Sequence, residues 1–168
     1  MTAPGGSGGD PEGLTHLDAR GQARMVDVGD KAVTQRTAVA EARVHMRPDV
    51  AARLLAGDLP KGDALPVVRI AGIQAAKRTP ELIPLCHGIA LTSVEVEVDV
   101  DASAGVAVVT ATARAADRTG VEMEAMTAVS VASLTLYDLV KAVQRDVVIT
   151  DVRLRRKTGG RSGDVDLP

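Results

Sequence analysis

Apolar and polar positions alternate through residues 37–47, TAVAEARVHMR, and a period of two predicts a strand with one buried face. Pro48 then opens PDVAARLLAGD, with proline at the first helical position and Gly57 near the end, which predicts a short helix. Asp63 is placed to cap a second helix over residues 64–78. The Thr79-Pro80 step breaks that helix ahead of Glu81-Leu82-Ile83, and a loop carrying Leu85-Cys86-His87-Gly88 follows. Val94, Val96, Val98 and Val100 alternate with Glu95, Glu97 and Asp99, and a second alternating run covers residues 106–114. The small residues at 101–105 suit a reversal, so these runs predict an antiparallel hairpin.

Thr119-Gly-Val-Glu122 has the spacing of a capping box and introduces a long helix over residues 121–144. Met123, Met126, Val129, Val131, Leu134, Leu136, Leu139 and Val143 make that helix apolar on nearly every side, more than one small chain covers, and predict subunit packing. A last strand over residues 147–155 runs into a basic, glycine-rich loop at 157–163. The order strand, helices, two strands, helix, strand indicates an α+β fold, in its simplest form a ferredoxin-like antiparallel sheet packed against helices.

Composition adds limits. A chain of 168 residues that is 45% hydrophobic is sized for one packed domain. It has no Phe, no Trp and one Tyr, so small aliphatic residues must fill the core and helices can pack closely. The lack of aromatic stacking platforms and a net charge of −2 argue against nucleic-acid binding. Cys86 is the one cysteine and forms no internal disulfide, and no apolar run reads as a signal peptide or a membrane span, so a cytoplasmic protein without a membrane partner is expected. Residues 1–13 read as a disordered tail, 14–164 as the domain and 165–168 as a C-terminal tail.

Candidate chemistry gathers on the long helix. At 100° per residue Asp138 and Lys141 share a face with Glu124, two turns of charge at the ends of an apolar stripe. A surface ion pair is the plain reading of Asp138 and Lys141, but on a helix expected to be buried such charges are costly unless paired or used. Glu122 reads equally as a cap or as a reactive acid. Cys86-His87 has no second Cys or His at metal-ligand spacing, so no metal site is expected; His87 is a candidate for hydrogen bonding or proton transfer. Seven basic residues between Lys141 and Arg161 suit phosphate oxygens, although GGRSG lacks P-loop spacing.

The segments LTHLDARGQARMVDV, KGD, RIAGIQAAKRTPELIPLCH, GVEMEAMTAVSVASLTLYDLVKAVQ and KTGGRSG, in this order, strongly resemble the molybdenum cofactor biosynthesis protein C family, and the likeness covers residues 14–164. The resemblance implies a lyase of molybdopterin synthesis that converts 3′,8-cyclo-7,8-dihydro-GTP to cyclic pyranopterin monophosphate with loss of pyrophosphate. It implies no cofactor, and a homohexamer, a trimer of dimers, with active sites between subunits. Asp138, Lys61 and Lys141 match the catalytic positions. Leu85, Cys86, His87, Met123 and Glu124 match substrate-lining positions, with Glu122 beside them, and Arg36, Lys77 and Lys157 match further basic pocket positions. Gly88 replaces the usual Pro, and Arg161 the common Lys. A non-catalytic nucleotide sensor and a purely structural assembly protein are the competing readings; neither needs an acid between two lysines.

Overall fold

The computed structural model describes residues 20–160 and 163–168; the expected N-terminal tail and Arg161 lie outside them. Strand β1 (Thr34–His45) is followed by helices α1 (Pro48–Leu55) and α2 (Ala64–Lys77) and the single turn α3 (Thr79–Leu82). Strands β2 (Leu91–Asp101) and β3 (Val106–Asp117), helix α4 (Glu122–Val140) and strands β4 (Val148–Thr158) and β5 (Val165–Asp166) complete the chain. The sheet runs β2-β3-β1-β4-β5 with every neighbouring pair antiparallel. Its first four strands have the order of the expected ferredoxin-like α+β fold.

The alternation in β1 and β3 builds the floor of the core. Ala38, Ala40, Ala42 and Val44 face Ala113, Ala111, Val109 and Ala107 across the ladder, and all eight are fully buried. These small residues let α4 lie close to the sheet through Ala125, Ala128 and Ala132, also fully buried. The β1–β4 ladder shifts register twice, and Asp151, at φ 53°, sits at the second shift, where an extra residue in β4 must be accommodated. The pairing of β5 with the end of β4 at Arg156 and Lys157 anchors the chain beyond the glycine-rich loop, which the short VD segment did not announce.

Two local readings need correction. The capping box does not form: Val121 is the N-cap, no side chain caps α4, and Glu122 turns to Lys157 instead, at 3.3 Å. The long helix stops at Val140, and the residues after it close as turns. By length and composition α4 is also apolar enough to cross a membrane, but here it packs against the sheet and alongside α2 as a core helix. Its outer side is not covered within one chain: Leu134 is 59% exposed, and Ile70 on α2 is 56% exposed.

Helix α2 lies tightly against α4 and β2 at Gly72, where a Cβ would lie 3.0 Å from Val96 Cγ2 and 3.1 Å from the Ala128 carbonyl. Gly72→Leu is therefore expected to destabilise the fold by about 1–3 kcal/mol through overpacking. A lower urea midpoint with unchanged slope is the expected readout; an unchanged midpoint would show that the helices can separate at no cost.

Candidate active site

Helix α4 carries candidate groups at both ends. At its C-terminal end Lys141 is the cap residue, where a cation complements the helix dipole. Asp138 sits one turn earlier, on the side turned away from the buried Leu136 and Val140. Its Oδ1 lies 2.6 Å from Lys141 Nζ, and its Oδ2 accepts a hydrogen bond from Lys61 Nζ at 2.6 Å. Lys61 Nζ also donates to the Asp138 carbonyl at 3.1 Å. Lys61 comes from the loop between α1 and α2. Gly62, at φ 85°, turns that loop, and Asp63 then accepts from Leu65 N–H to start α2, as its sequence position predicts.

One lysine on each carboxylate oxygen, Lys141 foremost and then Lys61, holds the Asp138 carboxyl down to about 2. The same bond pushes the Lys141 ammonium up. The expectation that these charges are buried does not hold in one chain, because the three side chains are 44–51% exposed. Exposed pairs of this kind add little to stability. The cluster therefore contributes little as a brace.

Two adjoining cavities lie at the other end of α4. The first, about 490 Å³, is lined by Lys31, Arg36, Arg118, Glu122, Lys157 and the Gly159-Gly160 turn, among others. Arg36 reaches it from β1 and is fixed by donating from Nε to the Asp117 carbonyl (3.2 Å) and from Nη2 to the Arg118 carbonyl (3.3 Å). Gly160, at φ 79°, leaves no room for a Cβ, which would overlap the Arg36 guanidinium. The left-handed turn favours glycine there, and its lack of a side chain leaves the Arg36 guanidinium in place. Several cations around a turn of backbone N–H groups suit phosphate oxygens.

The second cavity, about 480 Å³, is lined by Val26, Val28, Ile83, Leu85, Cys86, His87 and Met123, with Lys31, Thr119, Gly120 and Glu122 shared with the first. Glu124 lies behind it, fully buried; Cys86 Sγ donates weakly to its Oε1 at 3.9 Å, and its Oε2 has no hydrogen-bond partner among the described residues. Burial pushes the Glu124 carboxyl up. Burial and the nearby Glu124 also push the Cys86 thiol up, which disfavours the nucleophilic thiolate. His87 Nε2 is 2.8 Å from the Val26 carbonyl, so it is the protonated nitrogen and donates to the segment before β1.

Leu85, Cys86, His87, Met123, Glu122, Arg36 and Lys157 are thus brought together, with Glu124 beneath them. Lys77 is exposed at the end of α2 and lines neither cavity. Asp138 and Glu124, one face of α4 by sequence, are about 21 Å apart along the axis at 1.5 Å per residue, so they do not meet in one chain. Lys31, Arg118, Thr119 and Gly120 were not among the expected residues; the one sequence signal was a lysine shortly before the strand that carries Arg36. A Cβ at Gly88, where Pro is usual, would meet nothing within 4 Å. No group of three or more His, Cys, Asp or Glu among the described residues is placed to hold a metal ion.

Fold and cavities together define a ferredoxin-like α+β protein with a cationic pocket next to a less polar one. The chain belongs to the MoaC family, whose family model matches residues 25–160. It is 59% identical over 152 residues to the cyclic pyranopterin monophosphate synthase of Roseiflexus castenholzii, a span of 90% of this chain and 96% of that one. It is 57% identical over 155 residues to the synthase of the same name from Chloroflexus aurantiacus (92% and 95% of the two chains). The corresponding Streptomyces coelicolor protein is 57% identical over 162 residues, 96% of this chain and 94% of that protein.

Proposed function

We propose that the chain is a cyclic pyranopterin monophosphate synthase, a lyase of molybdenum-cofactor biosynthesis that converts 3′,8-cyclo-7,8-dihydro-GTP to cyclic pyranopterin monophosphate and pyrophosphate. The observation that carries this reading is the near-full-length similarity to synthases of that name in a chain whose cationic cavity adjoins a second, ring-sized one. In this assignment the second cavity takes the fused ring, against Leu85, Cys86, His87 and Met123. Arg36 and Lys157 in the first cavity take the triphosphate, and Glu122 positions Lys157.

The reaction opens the purine-derived ring, closes the pyran and joins a hydroxyl to the α-phosphate, and each step moves protons. Asp138 between Lys61 and Lys141 supplies groups that donate, accept and relay them, with the ammonium forms stabilising negative charge. Asp138 stays ionised and holds both ammonium groups within 2.6 Å of one carboxylate. Because this cluster and the cavities lie at opposite ends of α4, the complete site uses the cluster of one copy and the cavities of another. Uncovered apolar residues on α2 and α4 support such an assembly, a homohexamer built as a trimer of dimers, working in the cytoplasm.

Incubating the purified protein with the cyclised dihydro-GTP should yield pyrophosphate and the pterin in equal amounts; consumption of neither substrate nor its phosphates would overturn the reading. Lys157→Ala removes a charged phosphate contact worth about 1.5–3 kcal/mol, so KM should rise roughly 10–100-fold while turnover of bound substrate changes less. An unchanged KM would place the triphosphate elsewhere.

A further inference from the structure

We propose that Lys31 is a further catalytic residue, contacting the phosphate at the junction of ring and triphosphate, the α-phosphate from which pyrophosphate departs. The inference rests on the synthase reading above and adds a residue that periodicity and motif did not single out.

Four residues line both cavities, and Lys31 is the one cation among them; the others are Thr119, Gly120 and Glu122. A substrate with its ring in one cavity and its β- and γ-phosphates in the other must cross this divide at the α-phosphate. Lys31 belongs to the segment before β1, which has little regular structure of its own but is clipped at two backbone carbonyls. His87, from the wall of the ring cavity, donates from Nε2 to the Val26 carbonyl at 2.8 Å. Arg118, from the wall of the cationic cavity, donates from Nε to the carbonyl of Lys31 itself at 3.1 Å. A turn closed by Lys31 N–H to the Val28 carbonyl at 3.1 Å, with Gly29 N–H held by Asp27 Oδ1 at 2.8 Å, sets the stretch between the clips. The backbone of Lys31 is therefore fixed to the walls of both cavities while its side chain is exposed and makes no ion pair among the described residues.

The chemistry at that place needs a cation. In the phosphate step the substrate hydroxyl oxygen bonds to the α-phosphorus, and the hydroxyl proton is relayed to solvent through the Lys61–Asp138–Lys141 cluster. The bond from the α-phosphorus to the bridging oxygen breaks, and its electron pair leaves on pyrophosphate. Charge on the bridging oxygen rises in the transition state, so an ammonium fixed beside it accelerates the step rather than only strengthening binding. His87 and Arg118 act here as positioning residues, through the backbone they hold.

The test is single-turnover pyrophosphate release with wild type, Lys31→Ala and Lys31→Arg, with calorimetric binding of inorganic pyrophosphate to the same proteins. Lys31 is exposed, so its replacement should leave the fold intact, which circular dichroism checks. Lys31→Ala should slow release from bound substrate by roughly 10²-fold and weaken pyrophosphate binding by roughly 10-fold; Lys31→Arg should recover most of both. If wild type turns over and Lys31→Ala releases pyrophosphate at the same rate, the proposal is overturned while the synthase reading stands. If wild type does not turn over the cyclised dihydro-GTP, the synthase reading fails and the catalytic role of Lys31 fails with it. Weaker pyrophosphate binding by Lys31→Ala would then support a phosphate contact on the divide, and unchanged binding would remove that as well.

Discussion

Asp138→Ala is expected to lower single-turnover pterin formation by about 10²–10⁴-fold while leaving fold and assembly unchanged. The carboxylate is half exposed and its partners are exposed lysines, so its removal exposes no cavity and strands no buried charge. What is lost is the acid that holds both ammonium groups, each 2.6 Å from one of its oxygens. With its carboxyl held down to about 2, Asp138 is ionised throughout the neutral range. Its interactions are fully present above the ordinary carboxylate range near 4 and fade only as pH falls toward 2. Any activity change between about pH 5 and 8 must then come from another group. Lys61→Ala and Lys141→Ala should resemble Asp138→Ala, and Asp138→Ala combined with Lys141→Ala should cost far less than the product of the two, because the three act as one unit. A nucleotide sensor would behave in the opposite way: loss of the acid would preserve or tighten binding, with no turnover to lose. Assays of Asp138→Ala under saturating substrate decide between them, and full activity would remove Asp138 from the site.

Most of the fold was legible because its signals are local. Alternation in residues 37–47 and 94–100 places β1 and β2, and Pro48 and Asp63 mark the starts of α1 and α2 at the positions observed. The capping box failed for a tertiary reason: Lys157, distant in sequence, offers Glu122 an ion pair at the cavity wall. The sequence also could not show that the charged face of α4 remains open in one chain. Apolarity on every side of a helix marks burial but does not say whether the cover is the same chain or another, and Leu134 is 59% exposed here. The triad was half visible, since Asp138 and Lys141 are i and i+3 neighbours, whereas Lys61 joins them through a loop that no periodicity encodes. Lys31 and Arg118 were missed for a similar reason: they reach the cavities from irregular segments held by backbone carbonyls.

The central claim is that one copy's Lys61–Asp138–Lys141 cluster serves the cavities of another, and mixed assemblies test it directly. Asp138→Ala disables the cluster and leaves the cavities intact; Arg36→Ala with Lys157→Ala disables the cationic cavity and leaves the cluster intact. Each protein alone should have almost no activity at low substrate. Co-expressed in equal amounts, they should recover about one quarter of the wild-type rate, the share of sites that pair an intact cavity with an intact cluster when copies associate at random. Activity that stays at the level of the separate variants would contradict the account, because it would mean that cavity and cluster must belong to the same chain.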